Sequence, residues 1–155
     1  MSTGRILTAV SIAIALSWSA GATAQEHGTK DEAKAMADAA VEYVKKVGPD
    51  QAFKDFTSDK AHWTKKDLYV VAFDMKGNMM AHGANEKLVG HNNMDMKDVN
   101  GVFFTAEMTK VAQTKGEGWV DYMWAHPQTK KLTQKSTYVR KLANYDGWVG
   151  VGIFK

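Results

Sequence analysis

The sequence predicts an α+β fold, and the prediction rests on where its hydrophobic period changes. Across residues 31–47 apolar side chains return at helical spacing, whereas residues 116–155 alternate as strands do, with breaks at 126–130 and 144–147. Two shorter β-type runs, 68–73 and 78–82, and a second helical stretch at 102–115 lie between them. The 155-residue chain has no cysteine, so packing must hold the fold; neither a disulfide framework nor a thiolate metal site can.

The first residues are expected to be a signal peptide. Arg5 supplies a positive start, residues 6–18 are an apolar run, and Ala22-Thr23-Ala24 forms a small-x-small cleavage site. The run is shorter than the roughly 20 residues that span a bilayer. The expectation is therefore export, cleavage after Ala24, and a single periplasmic or secreted domain over residues 25–155. The formal net charge is +3, and loss of Arg5 lowers it by one. Lysines are spread along the chain, which argues against the basic stripe of a nucleic-acid binder and leaves a mild preference for a small anion.

In the first helix Ala33, Met36, Ala37, Ala40, Tyr43, Val44 and Val47 share a side opposite Lys34, Asp38, Glu42 and Lys45. Gly48-Pro49 stops it, and Pro49 can open a short second helix that carries Phe53 and Phe56 inward. A polar connector with His62 and Trp63 leads to the first β run, and Asp74-Met75-Lys76-Gly77 turns the chain into the second. Residues 83–100 are polar and without period, a loop length more often functional than decorative. Asp98 and Asn100 are expected to cap the next helix or staple the loop. Phe104, Met108, Val111 and Ala112 form the apolar face of that helix, and Gly116 is its C-terminal cap.

Alternation assigns faces to the last three strands. Val120, Tyr122 and Trp124 oppose Trp119, Asp121 and Met123; Lys135, Thr137 and Val139 oppose Gln134, Ser136, Tyr138 and Arg140. In the final strand Val149, Val151 and Ile153 oppose Trp148, Gly150, Gly152 and Phe154. Two glycines on one face imply that a helix or a ligand approaches the backbone there.

These pieces occur in a specific order: Asp74-x-x-Gly77, Ala81-His82, Leu88-Val89-Gly90, Asp95-Met96-Lys97-Asp98-x-Asn100-Gly101, Gly116-x-Gly118-Trp119-Val120-x-Tyr122-x-Trp124, Lys135-x-x-Tyr138-Val139 and Trp148-Val149 with Val151-Gly152-Ile153. Together they resemble the single Cache domains of bacterial extracytoplasmic sensors, over essentially the whole mature chain. The resemblance implies a PAS-like fold in which a long N-terminal helix packs on a five-stranded antiparallel sheet. It also implies a pocket between one sheet face and the loop-helix insertion. Such domains bind small molecules, often short carboxylates such as acetate, propionate or pyruvate. The chain has Gly83 where many relatives have proline after the alanine-histidine pair, and it stops at Lys155 where a receptor would continue. Signalling is therefore expected through a partner such as a membrane sensor or receptor, with a homodimer through the N-terminal helix as a further expectation.

The candidate ligand-binding residues are His82, Tyr122, Trp124, Lys135 and Tyr138. Tyr122 and Trp124 can donate from an apolar wall, and serve equally as core aromatics. Lys135 is a mid-strand cation that a carboxylate would pair with, and the resemblance marks it. Tyr138 has the opposite parity, so both reach one pocket only across a bulge or twist; Arg140 is the alternative anchor on the Tyr138 face. His82, at the mouth of the loop, either donates to a ligand or is satisfied by loop backbone. The histidines, among them His62, His82, His91 and His126, show no metal-binding spacing, and no catalytic motif is present. The expectation is a small-organic-anion sensor with no cofactor and no enzymatic activity; the alternative is an accessory protein with a vestigial pocket that docks through its helix.

Overall fold

The computed structural model describes residues 26–155, so the expected signal peptide lies outside the described residues. The first helix, α1 (Lys30–Val47), begins at a complete capping box: Thr29 Oγ1 accepts from the Glu32 amide and the Glu32 carboxylate from the Thr29 amide. Two otherwise orphaned donors are thereby satisfied. Pro49 then opens α2 (Pro49–Ser58), where its missing N–H costs nothing. A single turn, α3 (Lys60–Trp63), occupies the expected polar connector.

The sheet is antiparallel. It contains the five expected strands, β2 (Leu68–Asp74), β3 (Met79–His82), β4 (Glu117–Ala125), β5 (Leu132–Lys141) and β6 (Gly147–Phe154), preceded by a two-residue β1 (Thr64–Lys65). The order is β1-β2-β6-β5-β4, with β3 also pairing β2. The β2–β3 turn is built by Asp74, whose carboxylate accepts from the Lys76 and Asn78 amides and the Asn78 side chain, with Gly77 at φ 86°.

Each sheet face carries its own core. On one, the small residues Ala33, Ala37 and Ala40 let α1 approach Val70, Ala72, Val149 and Val151 closely. Fully burying one such valine contributes about 1.5–3 kcal/mol. The apolar stripe of α1 is thus spent on its own sheet, and the large exposed hydrophobics among the described residues, Met96, Val99, Phe103 and Leu132, lie elsewhere. That leaves the helix without the exposed stripe that docking of an accessory protein would use.

On the other face lies α4 (Phe104–Lys115), over Phe73, Val120, Tyr122, Val139 and Trp148. Phe73 stacks on Trp148 and Phe104 on Tyr122, while the Trp148 indole donates to Thr109 Oγ1 at 3.1 Å and pins the helix. Asp98 and Asn100 do not cap α4, whose N-cap is Phe103 with no side-chain bond. Asp98 is a loop staple instead: it accepts from the amides of Asn100, Val102 and Met123, tying the loop to β4.

Candidate ligand pocket

Lys135 stands in the middle of β5, opposite Tyr122 of β4, and is only 3% exposed. A lysine can lie flat inside a sheet face only where something is missing beside it. The missing group is a side chain at position 152: a Cβ there would sit 2.3 Å from Lys135 Cε and 2.5 Å from Thr137 Oγ1. The glycines of β6 therefore admit the side chains of β5, and the atoms nearest to Gly150 and Gly152 belong to strands and not to a helix. Lys135 crosses β6 over Gly152 and its Nζ donates to Tyr69 Oη on β2 at 2.8 Å. The ring centroids of Tyr69 and Phe154 lie 4.3 and 4.8 Å from the ammonium.

Among the described residues no carboxylate lies within ion-pair distance of Lys135. Burial pulls its pKa down to about 7, the more distant charge of Asp67 opposing the drop. Burial also pushes the phenols of Tyr69 and Tyr122 up, so both stay protonated donors. His82 is held down to about 3 by burial, with the charges of Lys135 and Lys60 adding to it. Its Nδ1 accepts from the Ala84 and Asn85 amides, which leaves Nε2 as the N–H of the neutral ring.

His82, Tyr122, Trp124 and Lys135 come together around a cavity of about 20 Å³, closed on the helix side by Phe104, Thr105 and Met108. That is room for one water molecule. A second hollow of about 190 Å³ opens to solvent beyond it; His82 and the half-buried Trp124 border both and form the partition. A broader groove of about 760 Å³ between α2 and β3 has no buried charge among its lining residues.

Tyr138 does not join this group. It points to the opposite face, where Lys34 of α1 donates to its hydroxyl and the hydroxyl donates to Glu117. Arg140, on the same side, pairs with Asp38 and Glu117. No bulge interrupts β5 to rotate either inward; its register with both neighbours is continuous from Lys135 to Arg140.

Tyr69 and Thr105 were missed by the sequence reading. Tyr69 was legible in part, since it shares parity with Val71 and Phe73; Thr105 carries no signal that separates it from any helical threonine.

A family model, Single Cache domain 2, matches residues 10–155. The chain belongs to this family. Of relatives in sequence, the sensor histidine kinase MctS of Rhizobium johnstonii (strain DSM 114642 / LMG 32736 / 3841) is 32% identical over 89 residues, 57% of this chain and 19% of the kinase. The chain thus matches a fifth of that protein's length. Of solved structures, a methyl-accepting chemotaxis protein from Vibrio parahaemolyticus RIMD 2210633 superposes with a TM-score of 0.70 at 27% identity, over 81% of this chain and 87% of the other. A structure described as the basis for carboxylic acid recognition by a Cache chemosensory domain gives 0.68 at 21%, over 80% and 91%; at that identity it shows the fold alone. Cache domains are extracytoplasmic sensory domains that bind ligands, found in chemotaxis receptors and histidine kinases. Among the described residues of this Cache domain no helix is long and apolar enough to cross a membrane.

The Cache domain holds a second ionisable cluster beside the pocket, in which Asp67 and His126 are buried and His27 is exposed. Asp67, just before β2, accepts from His27 Nδ1 at 2.7 Å, from His126 Nε2 at 3.3 Å and from the Gly28 amide at 2.7 Å. The three side chains place ligand-type atoms within 4.8 Å of one another, as a metal site would. The outer partners of His126 favour protons instead: its Nδ1 accepts from the Gln128 and Thr129 amides, so the ring's proton sits on Nε2 facing Asp67. A metal-bound imidazole needs the reverse, donating from its outer nitrogen. Burial opposes ionisation of Asp67, but the Gly28 amide and the two histidines outweigh it and hold the carboxyl below its usual range. The cluster fastens the entry to α1 onto the sheet, and His126 in turn packs on Phe154 beside Lys135.

Proposed function

We propose that this Cache domain is an exported sensor whose pocket binds a short organic acid through Lys135. The observation that carries the reading is a buried ammonium with a phenol partner but, among the described residues, no counter-ion. A charge taken out of water is costly unless paired, and a carboxylate entering the cavity supplies the missing partner. The Nε2–H of His82, and Tyr69 from the outer hollow, then donate to its second oxygen, and Tyr122, Phe104 and Trp124 exclude water around the apolar remainder.

The closed cavity is too small for an acid, so binding requires the partition to move. Trp124 borders both hollows, and its displacement joins them into a site open toward the 83–100 loop. Ligand-dependent repositioning of that loop is then the signal, because only a conformation that binds the ligand better can be populated by it. Export through the signal peptide at 1–24 and readout by a membrane sensor or receptor complete the proposal.

The test is calorimetric titration of the purified protein with acetate, propionate and pyruvate, repeated on Lys135→Met. The variant keeps the length and apolarity of the side chain and removes the charge. Loss of binding with an unchanged or raised melting temperature supports the assignment. Retained affinity overturns it.

A further inference from the structure

Thr105 is fully buried on the first turn of α4, and its hydroxyl has no hydrogen-bond partner. The other threonines of this helix avoid that state: Thr109 and Thr114 bond back to the carbonyls of Thr105 and Lys110, four residues earlier. Thr105 has no such recourse, because the residue four before it, Gly101, precedes the helix. Nor can the helix turn away, since Trp148 holds Thr109 and Thr109 holds the Thr105 carbonyl. An orphaned hydroxyl in a protein interior costs on the order of 1–3 kcal/mol, so its position calls for a partner that the fold itself does not supply.

The place of Thr105 indicates that partner. It lines the same cavity as Lys135, approaching from the helix layer while the lysine approaches from the sheet. Phe104, also in the wall, begins a helix with no side-chain cap, so the positive end of the α4 dipole adds to the donor character of this side. The walls between the two polar groups are Val71, Phe73, Met79, Met108 and the Tyr122 ring.

We infer that Thr105 is a specificity-determining residue, and that the ligand is a short acid carrying a second oxygen, a 2-hydroxy or 2-oxo acid in preference to an unsubstituted alkanoate. This rests on the assignment of Lys135 to the carboxylate. The ligand's hydroxyl or carbonyl oxygen accepts from Thr105 Oγ1, while its carboxylate pairs with the lysine. An alkanoate of equal length fills the apolar space but leaves the hydroxyl unpaired, and a site built around a polar group rejects ligands that cannot satisfy it.

Lactate, pyruvate and propionate share a three-carbon frame and isolate the point. Each is titrated into the wild-type protein, Thr105→Val and Thr105→Ser. The expected result is that lactate or pyruvate binds the wild type about tenfold more tightly than propionate, the worth of one net hydrogen bond. Thr105→Val should bring that ratio close to one with little change for propionate, and Thr105→Ser should restore it. Equal binding of all three acids to the wild type, or a ratio untouched by Thr105→Val, overturns this inference and leaves the Lys135 assignment standing. If none of the three binds the wild type, the Lys135 assignment falls and this inference with it.

Discussion

Lys135 and Tyr69 are 66 positions apart in the chain, yet the ammonium of one donates to the phenol of the other at 2.8 Å across a glycine. The contact lies inside the sheet face that α4 covers, and among the described residues no carboxylate lies within ion-pair distance of the ammonium.

The first consequence is a pH dependence of stability. The folded-state pKa of Lys135 is lowered to about 7, from 10.5 for the free group. Between those values the unfolded chain binds more protons than the folded one, so raising the pH favours folding. The slope from this group is at most about 1.4 kcal/mol per pH unit. Below about pH 7 the lysine is charged in both states and its burial cost is constant. Denaturant unfolding of wild type and Lys135→Met at pH 7, 8 and 9 should show the stability advantage of the methionine variant shrinking as pH rises; an advantage independent of pH would contradict it.

Acid binding should run the other way. The ammonium is the form that pairs with a carboxylate, and above about pH 7 it is progressively lost in the free protein. Affinity is expected to fall with rising pH, approaching tenfold per unit. Calorimetry in buffers of different ionisation enthalpy should register proton uptake on binding at pH 8 and little at pH 6.

Gly152 should be as important as the lysine it accommodates. An alanine there meets Lys135 Cε at 2.3 Å and Thr137 Oγ1 at 2.5 Å, so Gly152→Ala is expected to cost about 1–3 kcal/mol through overpacking and to abolish acid binding. Adding Lys135→Ala should recover part of the stability. Strict additivity of the two changes in a double-mutant cycle would show that they do not compete for the same space.

Tyr138→Phe is the contrasting variant. Its hydroxyl serves Lys34 and Glu117 on the α1 face, so removing it should change stability by less than about 1 kcal/mol and leave acid affinity within twofold of wild type. A large loss of affinity would place Tyr138 in the site after all.

Asp67→Asn tests the cluster that fastens the entry to α1. The carboxyl's folded pKa is lowered, so the stabilisation it provides is present above the unfolded value near 3.9 and is lost as the pH falls through the folded one. At pH 7 the substitution should cost about 1–3 kcal/mol. Hydrogen exchange at the first amides of α1 should accelerate more than exchange in β5.

Much of this is legible in the sequence. The Gly48-Pro49 stop after the first helix lies within two residues, the Asp74–Gly77 turn within four, and the alternation that separates Lys135 from Tyr138 within a single strand. Such features depend on neighbours along the chain, and so does the order of motifs by which the family was recognised. Residue sequence therefore specified the elements, their ends, and which side chains share a face. It did not specify which face turns toward α4 and which toward α1, because that depends on two helices some 70 residues apart competing for opposite sides of one sheet. Nor did it reveal Tyr69 beneath Lys135, Gly152 as the space between them, Thr105 without a partner, or Asp67 joined to His126 across 59 positions. These arise where strands distant in the chain become neighbours, and burial there lowers the proton affinity of one lysine.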